Sequence, residues 1–140
     1  TIDTSIMSAP QDLYQLALEA LPRAHAPYSQ FHVAASVRTR SGECFAACNV
    51  ENASYPLSSC AEKNAIIHAV CAGHKQITEV VVLVDQATLC TPCGACRQCL
   101  HEFALPELPI HLCTVKGQYQ LTSLQELLPY SFDLPQEEKL

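Results

Sequence analysis

The chain has few positive charges. Only 8 of its 140 residues are Lys or Arg, against 14 Asp or Glu, and the formal net charge is -6. Nucleic-acid binding depends on clustered cations that contact phosphates. The composition therefore argues against a nucleic-acid partner and favours a small, uncharged molecule.

Glycine is also scarce, and apolar runs long enough to span a membrane are absent. No run approaches the roughly 20 apolar residues of a membrane-spanning helix, and the polar start at 1–8 lacks the basic-then-apolar order of a signal peptide. The 9 cysteines cannot all pair, because their number is odd, and 4 glycines are few for a disulfide-stapled mini-domain. These features predict a soluble, cytoplasmic protein that has no membrane partner.

The length fits a single domain with one core, which we expect to span residues 1–140. Residues 1–7 are interpreted either as ordinary chain or as a disordered leader that runs up to a natural start at Met7. Hydrophobic residues make up 49% of the sequence and charged residues 16%. So apolar a composition suggests that other subunits cover part of the surface.

Hydrophobic periodicity and turn residues predict four helices and five strands. Ser8 is the expected cap of the first helix, which runs to Pro22. The later elements are strands at 31–38 and 43–50, a helix at 61–72, a strand at 77–84, a helix at 94–103, strands at 110–115 and 119–121, and a helix at 123–128. The first two strands should pair antiparallel, and the β-branched run at 77–84 should be the central strand. We predict an α/β fold, a three-layer α/β/α sandwich around a mixed five-stranded sheet.

Three cysteines and one glutamate form the most informative pattern. Cys60 and Glu62 lie in Cys-Ala-Glu, and Cys93 and Cys96 lie in Pro-Cys-Gly-Ala-Cys. A structural zinc ion uses four protein ligands, whereas a catalytic one keeps three and leaves the fourth position to water. The set predicts a catalytic zinc site with one zinc ion per subunit, bound by the three cysteines, with Glu62 beside it.

The predicted ligands lie at the starts of two predicted helices. Helix N-termini carry partial positive charge, which lowers thiol pKa values. Two residues along a helix rotate a side chain by about 200°, so Cys60 should occupy the cap or first position if Glu62 is to reach the same site. Three thiolates on a dication leave a net charge of minus one, and Lys63 and Arg97 are predicted to compensate it.

The Cys-x-x-Cys pair by itself has other interpretations. It is also typical of a redox pair, or of half of a structural zinc site completed by Cys90 or Cys99. A zinc-stabilised binding module without catalysis, in which Glu62 only favours the helix start, is the alternative from another class. The remaining cysteines are predicted to be small core hydrophobes, namely Cys44, Cys48, Cys71 and Cys113.

Five motifs, in order, resemble the zinc-dependent deaminases, and more closely the small homotetrameric cytidine deaminases. They cover nearly the whole chain. They are Pro27-Tyr28-Ser29 with Phe31 and Val33, Asn49-Val50-Glu51-Asn52-Ala53 with Tyr55-Pro56-Leu57, Cys60-Ala61-Glu62, Pro92-Cys93-Gly94-Ala95-Cys96-Arg97-Gln98, and Leu127-Leu128-Pro129 with Ser131-Phe132.

This resemblance implies the reaction. Cytidine and deoxycytidine would be hydrolysed to uridine and deoxyuridine with release of ammonia, in pyrimidine salvage. Glu62 would take a proton from the attacking water, deliver it to N3 of the base, and relay a second proton to the leaving amine.

The resemblance also implies the substrate contacts. Asn49 and Glu51 would hold the ribose 3′-hydroxyl, Phe31 would pack against the base, and the backbone of Ala61 would hold the base carbonyl oxygen. Three further residues would reach a neighbouring subunit's site, so that the active sites of a homotetramer are shared; these are Ala53, Tyr55 and Phe132.

Two positions depart from the family pattern. Lys63 stands where the family usually has Arg, and lysine lacks the planar fork that bonds several sulfur atoms at once. Ala34 stands where Gly is frequent. A blasticidin-type deaminase is a rival within the enzymes, but it lacks the Asn-x-Glu-Asn run found at 49–52. Deaminases that act on bases inside RNA or DNA are a further rival, but they need a cationic surface and added length to hold the strand, and this chain has neither.

Overall fold

A single mixed sheet lies between two layers of helices in the computed structural model, which describes residues 8–135. The interpretation of residues 1–7 as a leader lies outside these residues. The elements are α1 Gln11–Ala20, β1 Val33–Thr39, β2 Cys44–Cys48, α2 Ala61–Cys71, β3 Ile77–Val84, α3 Gly94–Phe103, β4 Pro109–Thr114, β5 Tyr119–Ser123 and α4 Leu124–Leu127. The strand order is β2-β1-β3-β4-β5.

The strand pairings agree with the predicted mixed sheet. β1 pairs antiparallel with β2 and with β3, β3 pairs parallel with β4, and β4 pairs antiparallel with β5. β3 is the middle strand, and its residues from Val80 to Val84 are all buried. Both faces of this strand are covered by helices, which explains its nearly continuous β-branched run.

Each face of the sheet has its own apolar cluster. On one face Leu13 and Ala17 of α1 pack against Leu83. On the other face α2, α3 and α4 pack against residues such as Val82, with Leu100 of α3 fully buried. The predicted three-layer α/β/α sandwich around a mixed five-stranded sheet is therefore confirmed.

Most differences from the predicted elements lie at their ends. Pro10, rather than Ser8, occupies the cap position of α1, and the Pro10 side chain makes no capping hydrogen bond. β1 begins at Val33, because the backbone of Phe31 bonds to the side chains of Ser29 and Asn49 instead of to a neighbouring strand. β2 ends at Cys48, and Val50 makes only isolated bridges, to His25 and Ser59.

The helices that follow β2 and β3 begin at one edge of the sheet. α2 ends at a left-handed turn, where Gly73 has a φ of 97° and its N–H donates to Val70 O at 2.9 Å.

Among residues 8–135, no helix has the length and apolar character needed to cross a membrane. The functional side chains lie at the starts of α2 and α3 and on the loops beside them.

Candidate active site

Three cysteine side chains converge at the starts of α2 and α3. The sulfur atoms of Cys60, Cys93 and Cys96 all lie within 4.8 Å of one another, and those of Cys60 and Cys93 are 3.6 Å apart. A disulfide would need about 2.0 Å. Two thiolates on one tetrahedral zinc ion, each about 2.3 Å from it, would be about 3.8 Å apart. The separation excludes a disulfide between these two cysteines and fits two ligands of one metal ion.

The local backbone explains this convergence. Cys60 caps α2 with a φ of -75° and a ψ of 151°, and Cys93 caps α3 with a φ of -66° and a ψ of 167°. The first helical bonds run from Asn64 N to Cys60 O and from Arg97 N to Cys93 O, both at 3.0 Å. Cys96 lies in the first turn of α3 and is buried. The predicted cap position of Cys60 is confirmed.

The pKa values of the clustered cysteines show that all three can ionise together only beside a cation. The hydrogen bond with Cys96 lowers the pKa of Cys60 to about 6; burial opposes this shift, and Cys93 and Lys63 add to it. The pKa of Cys96 is raised, first by its hydrogen bond with Cys60 and then by burial. Without a cation, one thiolate therefore forms at the expense of its neighbours. A dication would hold all three as thiolates, so the donor set fits zinc.

The cluster contains three cysteines and no fourth. Within the described part of the chain, neither Cys90 nor Cys99 belongs to the group of close ligand atoms. The interpretation as a four-cysteine structural zinc site is therefore wrong. Three ligands leave room for a further one, as in catalytic sites.

Glu62 is a buried carboxyl group in the first turn of α2, with 5% of its surface exposed. Burial raises its pKa to about 7, and the negative charge of Cys60 adds to the shift. A carboxyl group with a pKa near neutrality both accepts and donates protons readily. Its position and pKa suit a proton carrier beside the metal ligands.

The two predicted compensating cations differ. Lys63 is exposed, and its positive charge helps to lower the pKa of Cys60. Arg97 instead donates hydrogen bonds to Pro92 O and Leu127 O, both at 2.7 Å, and to Thr91 Oγ1 at 3.0 Å. These bonds tie the start of α3 to the end of α4. Among the described residues, the hydrogen bonds of the Arg97 guanidinium go to oxygen atoms and not to sulfur, so any compensation by Arg97 would act through its charge and not through bonds to the thiolates.

A cavity of about 520 Å³ adjoins the cluster. Burial raises the pKa of its wall residue Cys90, and the charges of Glu62, Cys60 and Cys93 raise it further, so this wall residue lies near these groups. The lining residues are Ser29, Phe31, Gln86, Ala87, Thr88, Leu89 and Cys90.

The wall formed by 86–90 was not predicted. The signal was available, because these residues follow the carboxyl end of a buried central strand. In open α/β sheets, ligands bind at that edge.

Asn49 and Glu51 hold the loop at 28–33. The Asn49 side chain accepts from Val33 N at 3.0 Å and donates to Phe31 O at 2.8 Å. Glu51 accepts from Tyr28 N and Ser29 N, both at 3.1 Å, and from the Ser29 hydroxyl. The Ser29 hydroxyl bond lowers the pKa of Glu51. The sequence analysis missed this supporting role, because it predicted contacts to the substrate alone. The side-chain oxygens of Asn49 and Glu51 can still accept a hydrogen bond from a further donor.

The remaining predicted contacts are divided between surface and interior. Tyr55 and Phe132 are 70% and 67% exposed, and Ala53 is exposed as well. The Tyr55 ring meets Tyr28 edge-on, with centroids 5.9 Å apart, beside a second cavity of about 430 Å³ that Glu51 also lines. Ala61, the first residue of α2, is fully buried next to the ligands.

The fold and the site together define a class of protein. Three cysteine ligands on two helix starts, a buried carboxyl group with a pKa near 7 and an adjoining cavity are the parts of a metal-dependent hydrolase.

Comparison with known proteins makes this class specific. Residues 7–112 match the family model of the cytidine and deoxycytidylate deaminase zinc-binding region, and the chain belongs to this family. A cytidine deaminase of Sporosarcina psychrophila is 36% identical over 114 residues, 81% of this chain and 84% of that protein. One from Halalkalibacterium halodurans is 35% identical over 87% of this chain and 92% of its own.

Solved structures agree with these matches. The 1.6 Å crystal structure of cytidine deaminase from Burkholderia pseudomallei superposes with a TM-score of 0.83 at 38% sequence identity. The match covers 89% of this chain and 100% of that one. The predicted resemblance to zinc-dependent cytidine deaminases is confirmed at the level of the family.

Lys63 offers a test of charge compensation at the cluster. Lys63→Ala should weaken zinc retention and turnover by up to about fivefold, because an exposed charge contributes at most roughly 1 kcal/mol. Lys63→Arg should preserve both. Zinc affinity is measured by competition with a chromogenic chelator, and Lys75→Ala, which removes an exposed lysine on the loop after α2, is the control. Unchanged values in both Lys63 variants would contradict the compensating role.

Proposed function

We propose that the protein catalyses the zinc-dependent hydrolytic deamination of cytidine and deoxycytidine to uridine and deoxyuridine, with release of ammonia, in pyrimidine salvage. The observation that carries the proposal is the three-cysteine cluster with Glu62 buried beside it. Two findings support the choice of substrate. The chain belongs to the deaminase family, and the relatives that it matches over most of their length are cytidine deaminases.

The residues divide the chemistry between them. Cys60, Cys93 and Cys96 would hold zinc, which supplies a Lewis acid that makes water nucleophilic near neutral pH. Glu62 accepts a proton from the attacking water and passes it to N3, which makes C4 electrophilic. After the attack, the same carboxyl group takes a second proton from the hydroxyl group now on C4 and delivers it to the exocyclic amine; the C4–N bond breaks, ammonia leaves, and C4 becomes a carbonyl. A pKa near 7 supports both transfers.

The substrate contacts follow from the walls of the two cavities. The base occupies the cavity beside Phe31, and the backbone N–H of Ala61 donates to the base carbonyl oxygen. The ribose 3′-hydroxyl bonds to Asn49 and Glu51, whose side chains are already held in place by the loop at 28–33. Contacts to the sugar favour a free nucleoside over the bare base.

Homotetramer formation in the cytoplasm completes the proposal. Tyr55 and Phe132 are large, exposed side chains, and Leu57 beside Tyr55 is 69% exposed. Burial of these side chains and of Ala53 against neighbouring subunits would remove apolar surface from water and share each active site across an interface. All 9 cysteines are unpaired, which supports a reducing compartment.

Cytidine, deoxycytidine and cytosine make a paired test of substrate class. Both nucleosides should lose their ultraviolet absorbance band with the zinc-loaded protein, whereas cytosine should react at least about a hundredfold more slowly, because the bare base cannot make the contacts to the sugar. The metal-free protein serves as control. Absence of change with both nucleosides would refute the enzyme assignment and favour a binding module.

Glu62→Gln tests the proton carrier. The amide has nearly the same shape but cannot shuttle protons, so kcat should fall by about 10²-fold to 10⁴-fold with one zinc ion per chain retained. The metal content is measured by elemental analysis, and Glu19→Gln on α1, across the sheet from α2, is the control. Turnover near that of the wild type would remove Glu62 from this role.

Subunit mixing tests the shared sites. Phe132→Ala and Glu62→Gln should each be poorly active, but mixed tetramers contain sites with an intact Glu62 from one subunit and an intact Phe132 from another. Co-refolding the two variants should therefore raise activity above the sum of the separate samples. An activity equal to that sum, in particles confirmed as mixed tetramers by mass, would show that the sites are not shared.

A further inference from the structure

Two separate segments form the walls of the cavity beside the cysteine cluster. One is the loop at 28–33, which carries Phe31, and the other is the segment at 86–90. His32 directly follows Phe31, and Asp85 directly precedes Gln86. We propose that His32 and Asp85 form a positioning pair, which holds the two cavity walls at the separation that the nucleobase requires. This inference rests on the proposed function and adds to it a determinant of substrate affinity.

The pair is joined through three hydrogen bonds. The His32 ring Nδ1–H donates to Asp85 Oδ2 at 2.8 Å, and the His32 backbone N–H donates to Asp85 Oδ1 at 3.2 Å. The backbone N–H of Asp85 donates back to His32 O at 3.3 Å. Asp85 Oδ1 also accepts from the Gln86 side chain at 3.2 Å. One carboxylate thus connects both walls.

The pair lies just beyond the end of the β1–β3 ladder, where no strand pairing holds the two chains together. Val33 and Val84 are partners at the end of the β1–β3 ladder. His32 and Asp85 lie one step beyond it, where the two chains leave the sheet to form the cavity walls. About a third of each side chain is exposed, 34% for His32 and 31% for Asp85. Polar bonds, rather than burial in the core, therefore keep the chains together at this point.

The wall at 28–33 has many other tethers. Every backbone N–H in it is bonded, to Glu51, Ala26 O, Ser29 Oγ, Asp85 or Asn49. Gln30 has a φ of 59°, in the left-handed region that non-glycine residues seldom adopt. The tethers hold the loop in this conformation.

The wall at 86–90 has few tethers. Its hydrogen bonds among the described residues go to sequence neighbours, from Gln86 to Asp85 and from Cys90 to Thr91 O. Leu89 is the residue that packs against the core cluster. Asp85 therefore couples this weakly held wall to the firmly held one.

The pair acts through the walls and touches neither the metal ligands nor Glu62. Its loss should widen the cavity and raise KM for cytidine by about tenfold, the factor that corresponds to 1.4 kcal/mol of binding. The value of kcat should change much less, because the proton carrier and the cysteines lie on α2 and α3.

The kinetic test uses His32→Ala, His32→Asn and Asp85→Ala in the zinc-loaded protein. The asparagine amide places an N–H near the position of His32 Nδ1, so His32→Asn should recover most of the wild-type KM, whereas both alanine variants should not. His74→Ala is the matched control, because it breaks another histidine–carboxylate pair. That pair joins His74 to Glu43, and neither residue lines this cavity. The KM of His74→Ala should equal that of the wild type.

A merely structural pair would give a different pattern. The alanine variants would lose active protein and melt earlier with an unchanged KM, and His32→Asn would behave as His32→Ala does. Either result overturns the positioning role.

Hydrogen–deuterium exchange tests the same pair without substrate. His32→Ala and Asp85→Ala should speed exchange at 28–33 and 86–90, whereas His74→Ala should leave both segments unchanged. Unchanged exchange in the first two variants refutes the inference. If the wild-type protein fails to deaminate cytidine, the proposed function is refuted, and the exchange rates still decide whether the pair holds the walls.

Discussion

Crowding of negative charge at two helix starts is the constraint on which the structure depends. Three thiols within 4.8 Å of one another, with a buried carboxyl group beside them, cannot all ionise in isolation. Two helix N-termini, one exposed lysine and a dication together make that ionisation favourable. The layered core keeps α2 and α3 in the orientation that this charge balance requires, with Leu100 and Val82 fully or almost fully buried beneath them.

The cavity walls are built on a different principle from the core. Polar side chains, such as those of Asn49, Glu51 and Asp85, hold the backbone of the walls through hydrogen bonds. A bond of this kind is directional, so it determines where a wall lies, whereas apolar burial is non-directional. The site thus combines rigid ligands on helices with polar loops whose positions depend on a few bonds.

Agreement between sequence and structure varied with the range of the interactions involved. The bounds of β3 and α3 were predicted correctly, because a β-branched run and a Pro-Cys-Gly start are local signals. The start of β1 was wrong, since Phe31 bonds to Asn49, 18 residues away in the chain. The partners of Arg97 were missed for the same reason: residue type indicated a cation, but only packing showed that its guanidinium bonds to backbone carbonyl groups.

The sequence by itself determined the fold class and indicated three cysteines and one carboxyl group as a metal site, because hydrophobic periodicity and the Cys-Ala-Glu and Pro-Cys-Gly-Ala-Cys motifs are local signals. Only the tertiary structure decided that Cys60 meets Cys93, 33 residues later, and that burial raises the pKa of Glu62 to about 7. It alone also joined His32 to Asp85 across 53 residues. Distances and burial of this kind result from the packing of helices on the sheet, to which every element contributes at once, and no local pattern in the chain encodes them.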